Sequence, residues 1–378
     1  MRKENVKIIT KQRESNFELY RVVIMLLIIA HHYVVNSGFT LSDSPVYQDL
    51  MSWRSMFLMI FGAWGKTGIN CFVLITGYFM CQSKISLKKF VKLLLQILSI
   101  NVIAYVVLLM CGYESVSPLR LLFVVWPVGS IGTDFTSCYL MLYLAIPFIN
   151  ILIQNLDEKK HLLLITLCVF IYTILGTVPK INVTFNYVSW FIVLYLIAAY
   201  FRIYPRKLFE NKKLWGWLTI ISVLLSALSV VVCSWLWLRY GVFGSFFLLA
   251  DSNKLLALTN SVCSFLFFKN LKIGYSKVIN VLGASTFGVF LIHANSDAMR
   301  TWLWTDLLHN VEMYDSALLI PHAILSTIGV FAVCAVLDYV RLLLIEKPFF
   351  KVWDTHSEKL SKKLCKIEKK MDDFLGEN

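Results

Sequence analysis

Arg21 and His32 both fall inside the first apolar stretch of the chain, near residues 20–36. Eleven residues separate them, and at about 100° per residue an α-helix turns roughly three times plus 20° over that distance. The two side chains therefore share one face, about 16 Å apart along the axis. An imidazole exchanges protons near neutral pH, whereas a guanidinium stays cationic, so one could move a proton and the other hold an anion. Both are costly in hydrocarbon, and the expectation is that they open onto one internal chamber. The chemistry-free alternatives are an Arg21 that snorkels to the headgroups and a His32 spent on an interhelical hydrogen bond.

The elements that position this pair are membrane helices. Hydrophobic residues make up 58% of the 378 and charged residues 16%, where a soluble domain carries roughly 25% charged residues; mean hydropathy is +0.69. The apolar residues come in blocks long enough to cross about 30 Å of hydrocarbon. Ten spans are expected, near 20–36, 56–80, 92–113, 136–154, 162–178, 187–204, 214–237, 250–268, 279–296 and 318–345. The expected fold is an all-α polytopic bundle: a transmembrane domain over 1–350 and a short charged cytoplasmic tail over 351–378.

Charge supports that count. With the N-terminus inside, most of the 36 Lys and Arg fall on cytoplasmic segments, and the opposite side keeps only Arg54, Arg120, Lys180, Arg239 and Arg300. This bias places both termini in the cytoplasm. The net charge of +13 then reads as membrane orientation and attraction to anionic lipids. Its cations are dispersed over many loops, which argues against a nucleic-acid partner. The first apolar block lacks a cleavage site and is followed by further spans, so it is no removable leader. Nine scattered cysteines without a C-x-x-C pair read as small packing residues. His161, His309, His322 and His356 stand alone, and no metal site is expected.

Other polar residues inside or beside spans are secondary candidates. Glu18, three residues before Arg21 and on its side of the helix, could pair with it and fix its geometry. Asn70 either faces a cavity or packs helices together. Lys66 contacts a substrate or reaches water. His293 touches a substrate or anchors an interface. Ser252 and Asn253 line an access route or start a helix. Asp338 and Arg341, three apart, are expected to neutralise each other.

Several segments carry a family resemblance. Phe17-Glu18-Leu19-Tyr20-Arg21 through Ala30-His31-His32-Tyr33 resembles the opening helix of acyltransferase family 3, bacterial integral-membrane acyltransferases whose first helix carries an Arg, ten residues, then a His. The stretch from Gly65 to Phe79 is similar to the family's glycine-bounded second helix, which ends in Ser/Thr-Gly-Phe/Tyr, here Thr76-Gly77-Tyr78. Leu282-Gly283-Ala284-Ser285 through Leu291-Ile292-His293 resembles its late Leu-Gly…Ser…Leu-x-His helix, and Glu346-Lys347-Pro348 its closing Glu-x-Pro. The likeness runs in order from about residue 16 to 350. One departure is plain: where members commonly have Arg-x-x-Arg after the second helix, this chain has Lys88-Lys89-Phe90-Val91-Lys92. Lysine lacks the bidentate fork of arginine, so these cations either grip a nucleotide phosphate or only orient the helix.

The resemblance implies an O-acetyltransferase-like enzyme of the plasma membrane. It would take an acyl group, acetyl in the first instance, from cytoplasmic acyl-CoA to a sugar hydroxyl on a cell-surface glycan, exopolysaccharide or lipid-linked intermediate, with no permanently bound cofactor. His32 would then be the general base that takes the hydroxyl proton, with Arg21 and Glu18 completing the catalytic set. Lys88, Lys89 and Lys92 would hold the donor, and Asn70, Lys66, His293, Ser252 and Asn253 the acceptor. The family's larger members add an extracytoplasmic hydrolase-like domain. This sequence runs only a short way past its tenth span, so direct transfer or a separate glycan-export partner is expected. A polytopic transporter or flippase of a polysaccharide intermediate is the rival reading, although it would more often show internal repeats.

Overall fold

The computed structural model describes residues 13–129, 134–184 and 186–356, and among these it is helical with no strands. In chain order the helices are α1 (Ser15–Val35), α2 (Pro45–Gln48), α3 (Trp53–Phe61), α4 (Gly65–Met80), α5 (Leu87–Met110), α6 (Pro118–Val125) and α7 (Phe135–Gln154). There follow α8 (Glu158–Val169), α9 (Tyr187–Ile203), α10 (Lys212–Tyr240), α11 (Leu255–Lys269), α12 (Lys277–His293), α13 (Asp297–Arg300) and α14 (Leu319–Arg341). Wider-turned stretches extend α8 to Leu175, α13 to Leu307 and α14 to Glu346.

Local chemistry sets the boundaries. Side chains of Ser86, Ser117, Asp134, Asp157, Asn186, Asn211 and Ser276 accept the first free amides of α5, α6, α7, α8, α9, α10 and α12, as capping residues do. Gly241, at φ +65°, ends α10 in a left-handed conformation that suits glycine.

Each of the ten expected spans coincides with a helical segment, but fewer pass as crossings. Six are long and apolar enough: 15–35, 53–80, 87–110, 135–154, 212–240 and 319–356. α12 and the α13 extension make a further one if counted together, bent by 98° at the break. α9 and α11 are apolar but shorter. The reason is burial: every residue of α9 from Val193 to Tyr200 is buried, so it needs no lipid-length exterior. α10 is the opposite case, presenting Trp217, Ile220, Leu224, Leu228 and Trp235 outward.

α1 sits centrally against α4, α11, α12 and α14. It runs alongside α12 in the same direction: Ser15 donates to Asn280 at one end, and His32 meets His293 at the other. The starts of α1, α5 and α12 share one end of the bundle with the close of α14, since Lys92 pairs with Glu346 and Lys88 with Asp354. This is the basic end. The expected charged tail is described only to residue 356, where it continues the last helix; the remainder of that expectation lies outside the described residues.

Candidate active site

The face of α1 that carries Arg21 and His32 also carries Met25 and Ile28, at the i, i+4, i+7, i+11 spacing of one stripe. Along it the surroundings change in three steps. His32 lines a cavity of about 650 Å³ with Lys66, Asn101, Arg120, Asp134, Tyr187, Asn295 and Arg300, and with aromatic walls that include Phe123, Trp126 and Phe290. Met25 and Ile28 line a second, apolar space of about 20 Å³, with Ile69, Phe72, Phe135, Phe287 and Phe290. That is room for about one water molecule. Ile69, Phe135 and Phe290 border both spaces, so the small one is a throat below the large one. Arg21 lines neither. The expectation of a single chamber shared by Arg21 and His32 is therefore corrected: phenyl rings from α4, α7 and α12 narrow the space between them to that throat.

The histidine end has a defined hydrogen-bond order. His293 Nδ1 lies 2.6 Å from the carbonyl oxygen of Val289. A carbonyl only accepts, so Nδ1 carries the proton, and in neutral His293 the other nitrogen, Nε2, is an acceptor. His32 Nδ1 lies 2.9 Å from that Nε2 and must be the donor. Neutral His32 is thus held with its proton on Nδ1 and its lone pair on Nε2. No partner engages Nε2 among the described residues, and the ring borders the large cavity. His293 is fully buried and does not line that cavity; it stands behind His32. His31 points away and bonds the Gly62 carbonyl at 2.5 Å. Gly65 lies so close beneath its ring that no Cβ would fit.

Lys66 reaches the chamber from the first turn of α4. Its ammonium donates to the Tyr187 hydroxyl at 2.5 Å, which donates to Asp251 at 3.0 Å, and Lys66 itself stands 3.8 Å from Asp251. Asn70, Ser252 and Asn253 sit behind this group, not on the chamber wall. Asn70 is fully buried, donating to the Ser252 carbonyl at 2.7 Å and accepting from the Trp190 indole at 2.9 Å. Asn253 donates to the Tyr172 carbonyl at 2.8 Å. These residues clamp the loop before α11 onto α4, α9 and the α8 extension.

At the basic end the expected lysines are already engaged: Lys88 with Asp354 at 2.5 Å, Lys92 with Glu346 at 2.8 Å, and Lys89 with the Lys84 carbonyl at 3.2 Å. The expected Glu18–Arg21 pair does not form. Glu18 meets Arg13 at 3.2 Å instead, and Arg21 Nε is buried without a hydrogen-bond partner. Asp338 and Arg341 do pair, at 2.8 Å, within a buried set in which Arg341 also bonds Glu346 at 3.0 Å and Gln96 bonds Asp338 at 3.3 Å. The glycines of α12 make room for these carboxylates. A Cβ on Gly283 would lie 2.5 Å from Glu18, and one on Gly288 would overlap Asp338.

Sequence reasoning did not single out Arg120, Arg300, Tyr187, Asp251, Asn101 or Asn295. A signal for two of them was present: Arg120 and Arg300 are among the few cations on the side that the positive-inside bias leaves nearly bare. Glu114 binds the Arg120 guanidinium through both Nε and Nη2 and holds its pKa above the usual arginine value. No group of three or more His, Cys, Asp or Glu able to hold a metal occurs among the described residues.

Compared with known families, residues 14–339 match the family model described as an acyltransferase domain, of acyltransferase family 3. No curated protein and no solved structure matches the chain.

Proposed function

This chain belongs to that acyltransferase family, and from that premise we propose that it moves an acyl group, acetyl in the simplest case, from cytoplasmic acyl-CoA to a hydroxyl of a cell-surface or lipid-linked sugar. The enzyme is a membrane protein, and the reading places it in the plasma membrane with ten crossings and both termini cytoplasmic. α9 and α11 are the crossings that their neighbours shield from lipid, whereas the α8 segment turns Leu163, Leu167 and Phe170 outward.

The observation that carries the proposal is the fixed tautomer of His32. Its Nε2 lone pair faces a polar cavity and is unspent, which suits a base that takes the proton of an acceptor hydroxyl. The hydroxyl oxygen forms the new bond to the thioester carbonyl carbon, the carbon–sulfur bond breaks, and the imidazolium returns its proton to the leaving thiolate. No net proton is gained or lost. His293 accepts from Nδ1 throughout and so steadies the cation that forms. The throat beside Met25, Ile28 and Phe287 suits the acyl end of a donor arriving from the basic end. On α1 beyond the throat, toward the basic end, the unpartnered Nε of Arg21 suits an anionic part of that donor, a role the engaged Lys88, Lys89 and Lys92 fill less well.

Membranes that contain the protein should release free coenzyme A from acetyl-CoA when acceptor glycan is supplied, and the glycan should gain one acyl unit by mass. One observation favours a second reading: the 98° break between α12 and α13 beside the chamber resembles the interrupted helices of transporters. Glycan crossing the membrane with no coenzyme A released would select that reading, with or without an export partner.

A further inference from the structure

We propose that the chamber selects an acceptor that carries a negative charge, a carboxylate or a phosphate, beside the hydroxyl to be acylated. This rests on the reading of the chamber as the acceptor site.

Three cations, Lys66, Arg120 and Arg300, line the cavity against one carboxylate, Asp134. That carboxylate is spent on the start of α7, where it accepts from the Ser137 amide at 2.8 Å and the Ser137 hydroxyl at 3.0 Å. The carboxylates that balance the arginines, Glu114 and Asp297, lie off the cavity wall. Arg300 gives Asp297 only one nitrogen, at 2.8 Å, and the Ala294 carbonyl a second at 3.4 Å, while its Nε is buried with no partner. A guanidinium with an unused donor can engage a carboxylate or phosphate.

The backbone adds to this. Lys66 lies in the first turn of α4, Ser137 in that of α7, and Tyr187 opens α9. Three helix N-termini, each equivalent to roughly +0.5 charge before capping, therefore meet at one wall. A neutral sugar could use the acceptors of this wall, among them His32 Nε2, but it would leave the excess of cations unbalanced. Trp126 and Phe123 supply flat apolar surface against which a sugar ring can lie, so a charged sugar fits better than a bare ion.

The test uses the full chain in detergent micelles without any donor. Tryptophan fluorescence is titrated with glucuronate, glucose and inorganic phosphate at constant ionic strength. Glucuronate should bind at least tenfold more tightly than glucose, and Arg300→Gln should remove about tenfold of that preference. Phosphate that binds as well as glucuronate identifies a phosphate-bearing acceptor; weaker phosphate binding identifies a carboxylate. Equal binding of glucose and glucuronate overturns the proposal, as does an Arg300→Gln protein that keeps the full preference. If that variant does not fold, the wild type decides by salt: added sodium chloride should weaken glucuronate binding and leave glucose unaffected, and an unchanged glucuronate affinity overturns the idea. Because no thioester is present, failure here leaves acyl transfer untouched, and failure of thioester turnover leaves the anion preference standing.

Discussion

His32 on α1 and His293 on α12 meet through Nδ1 and Nε2 at 2.9 Å, and the Val289 carbonyl behind His293 sets the direction of that bond. A backbone carbonyl has no alternative protonation state. It therefore acts as a fixed reference that decides, two residues away, which nitrogen of His32 is basic. Because α1 and α12 run alongside each other over their length, their packing holds this alignment.

Replacing His32 with Ala removes the base. General-base catalysis contributes about 10²–10⁴-fold, so coenzyme A release should fall by that factor while the amount of protein in the membrane is unchanged. A well-expressed variant that turns over acetyl-CoA at the wild-type rate would reject the assignment.

His293 acts through His32, and its replacements should separate by hydrogen-bonding ability. His293→Leu leaves the His32 Nδ1 proton without an acceptor; His293→Gln offers a side-chain carbonyl in its place. Losing one such oriented bond should lower kcat about 10–100-fold in the Leu variant with little change in KM. The Gln variant should recover part of the loss. The pH profile of kcat should change in the Leu variant only. Equal rates for Leu and Gln would reduce His293 to a packing residue.

The one-face relation of Arg21 and His32 was legible because helical geometry alone fixes it. The helices were legible for the same reason: apolar length and charge bias are local properties, and each of the ten stretches falls on a helical segment. Partnership was not legible. Glu18 lies one turn from Arg21 yet bonds Arg13, and Asn70, Ser252 and Asn253 bond one another's neighbourhood across three helices. Such choices depend on which helices touch, which spacing within one helix does not encode. The phenyl-lined throat was missed because Phe72, Phe135 and Phe287 come from three separate spans. Arg120 and Arg300 carried a signal of a different sort, as two of the five cations that the charge bias leaves on the sparsely charged side.

Arg341 is buried between Asp338 and Glu346. Replacing it with Met leaves two buried carboxylates, of which Glu346 keeps Lys92 and Asp338 keeps only Gln96. Breaking a buried pair on one side costs about 3–5 kcal/mol. The thermal midpoint in detergent should drop markedly, and neutralising the orphan in the double variant Arg341→Met, Asp338→Asn should restore part of it. A midpoint unchanged by Arg341→Met would mean that the cluster adds nothing to stability.

Gly288 and Gly329 give a matched pair. A methyl group at Gly288 overlaps the Asp338 carboxylate, whereas one at Gly329 meets nothing within 4 Å. Gly288→Ala should therefore destabilise by about 1–3 kcal/mol, the cost of overpacking. Gly329→Ala should be neutral or stabilising by up to about 1 kcal/mol. The same melting experiment reads both, and similar effects at the two sites would contradict the close approach of α12 and α14.

The throat beneath His32 makes a prediction about donor length. Met25 and Ile28 lie on the α1 stripe between the basic end and the base, Phe287 faces them from α12, and the space they border holds about 20 Å³. An acyl chain that reaches His32 from below must pass or occupy it, so the wild type should favour acetyl-CoA over butyryl-CoA. Phe287 borders the throat but not the large cavity, so Phe287→Ala widens the passage without touching the histidine pair. In a hydrophobic pocket each methylene is worth about 1–3 kcal/mol of discrimination, or 10–200-fold. The butyryl-to-acetyl ratio of kcat/KM should accordingly rise at least tenfold in this variant, and Phe287→Trp should depress both donors. An unchanged ratio in a Phe287→Ala protein with normal acetyl turnover would place the acyl chain elsewhere, and the donor would then have to reach His32 through the chamber itself.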